Sequence, residues 1–90
     1  MNNESTAIEA AVADIVKDRL AQRRLPTETA VTVDLQAIGL NSFDVISVLL
    51  AVEQRYGITF SDGEVTPSNF QTIGSIARLT GAVVSRKVSS

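Results

Sequence analysis

The sequence of 90 residues contains neither cysteine nor histidine. Without cysteine there can be no disulfide framework and no thiolate metal site, and any thiol chemistry must come from an added group. Without histidine the chain lacks the commonest general base and the commonest metal ligand. Since no cluster of carboxylates converges in the sequence either, we expect no catalytic residue, no metal site and no enzymatic activity.

Aromatic residues are also scarce, at 4% of the chain, so the core must be built mainly from Val, Ile, Leu and Ala. A hydrophobic fraction of 44% beside a charged fraction of 20% is ordinary for a globular protein and argues against disorder. The length fits one domain over residues 1–90, with a core over about residues 5–84 and a frayed tail over residues 85–90.

The charge and hydropathy of the chain exclude two classes of partner. The formal net charge of −2 argues against nucleic acid, and the basic residues Lys17, Arg19, Arg23 and Arg24 fit a solvated face or a helix C-terminus. No apolar run approaches the roughly 20 residues that span a bilayer, and the first residues do not resemble a signal peptide. We therefore expect a cytoplasmic monomer that binds neither nucleic acid nor membrane.

Apolar periodicity predicts an all-α bundle of three main helices and one short helical turn. The first helix is expected from about Ser5 to Arg24, where Pro26 stops it, and the second from Ser42 to Tyr56, where Gly57 stops it. The last begins near Thr72, after a short turn at residues 67–70. Residues 25–41 form a long loop, which we prefer to a strand because a single strand would have no partner.

The second helix has two apolar stripes where a small domain needs one. The core stripe consists of Val45, Val48, Leu49, Val52 and Tyr56. The second stripe, Phe43, Ile46 and Leu50, indicates a contact surface unless the long loop folds over it. With its polar and acidic neighbours it predicts a partner-docking face of Asn41, Phe43, Asp44, Ile46, Ser47, Leu50 and Glu53.

Ser42 stands at the expected start of the second helix, shortly after a turn that Gly39 permits. The free N–H groups and positive dipole of a helix N-terminus suit a phosphate, so a phosphodiester on this serine would be electrostatically favourable. The residues alone leave a plainer alternative open, in which Ser42 is only a cap of the helix, because Asn41 and Ser42 are both common N-cap types.

Four short blocks follow one another along the chain without a forced gap: Ile38-Gly39-Leu40-Asn41-Ser42-Phe43, Glu53-Gln54-Arg55-Tyr56-Gly57-Ile58, Asp62-Gly63-Glu64 and Thr72-Ile73-Gly74-Ser75-Ile76. In this order, within residues 33–79, they resemble the acyl carrier protein family, which includes peptidyl and aminoacyl carriers. The resemblance implies an acyl-carrier-like fold. It also implies that a phosphopantetheinyl transferase attaches 4′-phosphopantetheine from coenzyme A to Ser42, and that loading and transferring enzymes exchange an acyl or aminoacyl group on its thiol.

The sequence departs from the family pattern in its charge. Asn41 replaces the usual Asp, Ser47 stands where fatty-acid carriers tend to have Glu, and Arg55 dilutes the acidic end of the helix. A weakly acidic helix favours a specialised cargo, namely an amino acid, a polyketide or an unusual acyl chain, over general fatty-acid synthesis. The alternative is a carrier-like docking or structural module that has lost the arm.

Overall fold

The computed structural model describes residues 3–89, with side-chain surroundings for residues 6–87, and folds them into three helices with no strand. The helices are α1 (Asn3–Gln22), α2 (Ser42–Tyr56) and α3 (Ile73–Ser89). The predicted all-α fold is therefore confirmed, and α2 has the bounds that its capping residues indicate. None of these three helices is both long and apolar enough to cross a membrane.

α1 begins and ends two residues earlier than its sequence pattern suggests. Its end is set by Arg24, whose φ of 58° lies in the left-handed region and turns the chain out of the helix. The Leu25 N–H then reaches back to the Leu20 carbonyl at 2.9 Å. Because Leu25 precedes Pro26, its helical conformation is disfavoured as well, so the helix cannot continue.

The loop between α1 and α2 is held against the bundle at both the backbone and the side-chain level. The Leu35 N–H donates to the Gln71 carbonyl at 2.9 Å, and the Gly74 N–H donates to the Val31 carbonyl at 2.9 Å. A Cβ atom at Gly74 would lie 3.2 Å from that carbonyl oxygen, so a larger residue would push the loop away. The loop is thus fixed without a strand, as expected.

The segment between α2 and α3 is anchored by the far end of α2. Gly57 ends α2 in the left-handed conformation, and the Glu53 carboxylate accepts a hydrogen bond from the Phe60 N–H at 2.7 Å. Phe60 packs edge-to-face on Phe70 with ring centroids 5.5 Å apart. The expected turn at residues 67–70 is present and places Phe70 in the core.

α3 starts with a reciprocal cap: the Ser75 N–H donates to the Thr72 Oγ1 and the Thr72 N–H donates to the Ser75 Oγ, both at 3.0 Å. At the other end α3 runs to Ser89, whereas the sequence suggested a frayed tail over residues 85–90. Arg86 pairs with Glu64 and Lys87 donates to the Gly57 carbonyl, so these residues are tied to neighbouring segments; residue 90 lies outside the described residues.

The core lies between α1 and its two partners. α1 packs against α3 and α2, whereas α2 and α3 make few direct contacts and are joined through the segment between them. Aliphatic side chains supply most of the core, as the scarcity of aromatic residues requires. Its fully buried members include Val12, Val16, Leu20, Leu35, Val48, Val52, Ile73 and Ile76.

One buried carboxylate joins α1 to the start of α2. Asp44 is only 1% exposed, and its Oδ1 accepts a hydrogen bond from Arg19 Nε at 2.8 Å while Arg23 pairs with its Oδ2. Burial alone would raise the pKa of Asp44, but the Asn41 N–H and the two guanidinium groups outweigh it and hold this pKa below its usual range. Half of the basic cluster seen in the sequence is therefore an internal ion-pair network.

Two other carboxylates also ionise more readily than usual. A hydrogen bond from the Gln71 amide is the main cause that lowers the pKa of Asp34. A hydrogen bond from the Ser61 N–H is the main cause that lowers the pKa of Glu64. In each case the ionised form is favoured by folding, and so the proton is bound more tightly by the unfolded chain.

The stability of the fold should therefore decrease at acid pH. A depressed folded-state pKa gives stability above the unfolded pKa, near 4, which is lost as the pH falls through the folded value. Since the chain has no histidine, the free energy of unfolding should be flat between about pH 5 and pH 8 and fall below about pH 4. Urea unfolding followed by circular dichroism across this range measures it.

Asp44→Asn should lower the free energy of unfolding by about 2 kcal/mol at neutral pH. It should also make the decrease of this free energy at acid pH less steep. The control is Asp62→Asn, which removes an exposed carboxylate outside the network and should change little. An acid-side decline equally steep in Asp44→Asn and in the natural chain would contradict the role given to this network.

The two stripes of α2 should respond oppositely to the same substitution. Val48 is 1% exposed and Leu50 is 57% exposed. Val48→Asp buries an unpaired charge and should cost more than about 4 kcal/mol, enough to unfold a small domain. Leu50→Asp should change the unfolding free energy by less than about 1 kcal/mol. Equal destabilisation in thermal melts followed by circular dichroism would refute the two-stripe interpretation.

Candidate functional site

The start of α2 is capped by Asn41 and not by Ser42. The Asn41 Oδ1 accepts a hydrogen bond from the Asp44 N–H at 3.0 Å, and the Asp44 Oδ2 accepts one from the Asn41 N–H at 2.9 Å. This capping box settles which of the two residues named in the sequence is the N-cap. Ser42 becomes the first residue of the helix, with no part in the cap.

The Ser42 side chain is exposed, and its hydroxyl forms no hydrogen bond with any described residue. The N–H groups of Ser42 and Phe43 precede the first backbone hydrogen bond of the helix, which the Val45 N–H donates to the Asn41 carbonyl at 3.0 Å. An anion on the Ser42 oxygen would thus meet the positive end of the α2 dipole. The site is therefore open to an enzyme and favourable for a phosphate.

The second stripe of α2 is open to solvent. Phe43 is 79% exposed, Ile46 49% and Leu50 57%, and we refer to these three side chains as the apolar face. The possibility that the α1–α2 loop covers the stripe is wrong, because that loop is bonded instead to Gln71 and Gly74. The apolar face therefore begins at the residue that follows Ser42 and runs along the outside of α2.

Of the polar residues predicted for this face, Asn41 is exposed, whereas Asp44, Ser47 and Glu53 are buried or partly buried. Asp44, expected on the docking edge, is buried and paired with arginines, because as the third residue of the helix it reaches back to its N-cap. Glu53 is partly buried and uses its carboxylate to hold the Phe60 N–H. Ser47 lines a shallow cleft between α1 and α2, and its hydroxyl donates to the Phe43 carbonyl at 3.1 Å.

A groove of about 510 Å³ lies on the other side of Ser42, between α2 and the segment that precedes α3. Its apolar wall includes Val65, which is 44% exposed and which sequence periodicity could not identify because it lies in a loop. Ser42 and Ile46 both line this groove, so the apolar face and the groove meet beside the serine. The groove is completed by Asp34, Gln36, Val45, Leu49, Thr66, Pro67, Ser68, Phe70 and Gln71.

Comparison with known proteins finds relatives of one kind. Aminoacyl carrier protein 1 of Bradyrhizobium diazoefficiens is 29% identical over 75 residues, which is 83% of this chain and 83% of the relative. Aminoacyl carrier protein 2 of the same organism is 25% identical over 79 residues, 88% of this chain and 89% of the relative.

A solved structure agrees with the fold. The crystal structure of Bradyrhizobium japonicum glycine:[carrier protein] ligase complexed with glycylated carrier protein contains a chain that aligns with a TM-score of 0.69 and 29% identity, covering 80% of this chain and 97% of that one. The family model described as "Phosphopantetheine attachment site" matches residues 10–80. This match includes all of α2, parts of α1 and α3, and the exposed Ser42, and so the chain belongs to the phosphopantetheine-attachment family of acyl and aminoacyl carrier proteins.

Proposed function

We propose that Ser42 carries 4′-phosphopantetheine and that residues 1–90 act as one carrier domain for an aminoacyl group. The observation that carries the proposal is the free hydroxyl of Ser42, exposed at the first turn of α2 while Asn41 performs the capping. A serine needed for the cap would lose its helix contact on modification, whereas this one loses nothing.

The residues around Ser42 fit the group that the family implies. The Ser42 oxygen would bond to the pantetheine-side phosphorus of the coenzyme A diphosphate, and the bond from that phosphorus to the bridging oxygen would break. Adenosine 3′,5′-bisphosphate would leave, and the hydroxyl proton would pass to the transferase or to water. The unpaired N–H groups at the start of α2 would then face the phosphodiester. The terminal thiol of the arm supplies the thioester chemistry, which a chain without cysteine cannot provide itself.

Two kinds of observation support an aminoacyl cargo. The relatives are aminoacyl carriers, and the structural neighbour is a glycylated carrier with its ligase. Independently, the outward surface of α2 lacks the free carboxylates with which an acidic carrier meets basic enzyme patches, because Asp44 and Glu53 are engaged internally. The partners of the proposal are a phosphopantetheinyl transferase and an enzyme that activates an amino acid with ATP.

Modification should occur at Ser42 alone. The chain, incubated with coenzyme A and a broad-specificity transferase, should gain the mass of one phosphopantetheine group, and Ser42→Ala should gain none. Ser68→Ala is the matched control, since Ser68 is also exposed and lies at the edge of the same groove. Intact-mass spectrometry measures the mass gained by the natural chain and by each variant. A gain of mass in Ser42→Ala would exclude this serine, and no gain in the natural chain would favour a module without the arm.

The rate of loading should distinguish an aminoacyl cargo from a malonyl cargo. Holo protein should accept glycine from a glycine:[carrier protein] ligase at least about tenfold faster than malonyl from a fatty-acid-synthesis transferase, because α2 offers little charge to a basic patch. Arg55→Glu adds an acid at the exposed end of α2 and should raise malonyl loading, whereas Arg55→Gln should raise it less. Malonyl loading as fast as glycyl loading, unaltered by Arg55→Glu, would show that charge does not select the cargo.

A further inference from the structure

The groove beside Ser42 is lined by uncharged residues with one exception, the carboxylate of Asp34. Apolar side chains of α2 form one wall, and the rest of the lining mixes apolar residues with hydroxyl and amide groups. Its volume of about 510 Å³ falls within the range of about 300–1,000 Å³ that is usual for small-molecule sites. The groove therefore has the size of a ligand site and carries its negative charge at a single place.

The Asp34 carboxylate is ionised and fixed in position, and it can still accept a further hydrogen bond. Its Oδ1 accepts one from the Gln36 N–H at 2.9 Å, and its Oδ2 accepts one from the Gln71 amide at 3.2 Å. The bond from Gln71, followed by that from Gln36, holds the pKa of Asp34 below its usual range. A carboxylate oxygen can accept two hydrogen bonds, and the Gln71 amide occupies one of these positions on Oδ2.

Asp34 also differs from the acids that the fold itself neutralises. Among residues 6–87 the carboxylates that pair with arginine are Asp44 and Glu64. The partners of Asp34 are instead a backbone N–H and a side-chain amide, which are neutral. Its charge is therefore left to act on whatever enters the groove.

A group carried on Ser42 enters this groove by its tether. Ser42 and Asp34 line the same groove, so the arm begins at the rim of the space that holds the carboxylate. A short flexible tether makes the contact intramolecular, with an effective concentration of about millimolar. An aminoacyl group presents an α-ammonium there, whereas an acetyl group is neutral and a malonyl group brings a second carboxylate. Charge complementarity favours the first of these three.

We infer that Asp34 binds the α-ammonium of an aminoacyl group carried on Ser42, with the arm lying along the groove. This rests on the proposed attachment to Ser42 and names the residue that recognises the charge of the cargo. The apolar wall of α2 contacts the hydrocarbon parts of the arm, and the ammonium donates to Asp34 Oδ2. Because Asp34 is partly exposed, the contact is weak and reversible, so the cargo stays accessible to enzymes.

The test attaches two arms that differ in one charge. A broad-specificity transferase modifies the chain with analogues of glycyl-coenzyme A and acetyl-coenzyme A in which an amide replaces the thioester, so that neither arm hydrolyses. Intact mass verifies each attachment. The natural chain is compared with Asp34→Asn, which keeps an oxygen for the Gln36 N–H, and with Asp62→Asn, which removes an exposed carboxylate outside the groove. Thermal melts establish that both variants are folded.

Nuclear magnetic resonance follows the ¹³C-labelled glycyl methylene through a pH titration. Asp34 should raise the pKa of the glycyl ammonium, so that its acid dissociation constant is about twofold to fivefold lower in the natural chain than in Asp34→Asn. This difference should shrink at about 500 mM NaCl, where exposed charges are largely screened. Asp62→Asn should titrate like the natural chain.

The backbone N–H signals of Gln36 and Gln71 provide a second measurement. In the natural chain the glycyl arm should shift them more than the acetyl arm does, because the acetyl arm has no ammonium to donate to Asp34. In Asp34→Asn the two arms should shift these signals equally. Comparison of the two arms within each variant removes the effect that the substitution itself has on the loop.

Three results would overturn the inference. Equal dissociation constants in the natural chain and in Asp34→Asn would show that the carboxylate does not contact the ammonium. Equal shifts from both arms in the natural chain would show that the groove does not distinguish their charge. An equal effect of Asp62→Asn would show a response to net charge and not to a site. Failure of the proposed carrier function is distinct from all three, since it appears earlier as the absence of added mass.

Discussion

The ion pairs and hydrogen bonds of the Asp44 carboxylate join three parts of the molecule at one point. Arg19 of α1 and Arg23, which follows α1, both pair with it, and the Asn41 N–H at the end of the long loop donates to it. A buried carboxylate is tolerated only when its oxygens are satisfied, so the direction in which the chain enters α2 is strictly determined. The exposed position of Ser42 follows from that direction.

The internal use of both carboxylates of α2 also determines which side chains remain on its outer surface. Because Asp44 and Glu53 are drawn inward to hold the loops, the exposed residues of α2 include three large apolar side chains and no acid. The residues that stabilise the fold and the exposed apolar residues therefore lie on different sides of a single helix. The inner half packs on α1 through Val48 and Val52, and the outer half can vary without disturbing that packing.

Local signals in the sequence were sufficient for the bounds of α2 and for its two stripes. Asn41 and Gly57 act on their immediate neighbours, and a spacing of 3.6 residues tells which side chains share a face. The partners of Asp44 could not be found this way, because Arg19 and Arg23 are 25 and 21 residues distant and pair with it only after α1 has packed. An acid near an exposed stripe is indistinguishable, in sequence, from an acid that points inward.

Val65 and the groove were missed for a related reason. The groove, and the place of Val65 in its wall, depend on how the segment after Gly57 folds back beside α2. Apolar periodicity predicts helix faces but not the path of a loop. The C-terminal end of α1 was displaced because the left-handed Arg24 is a non-glycine residue, and its type gives no hint of that conformation.

The attachment of the end of α3 has a consequence for how a carrier of this kind can be tethered. Lys87 holds the last turn of α3 to the Gly57 carbonyl, at the opposite end of α2 from Ser42. Since a helix rises 1.5 Å per residue, these two ends of α2 are about 20 Å apart. A linker or solid support joined after α3 would lie on the far side of the bundle, and the serine would remain facing away from it toward an approaching enzyme.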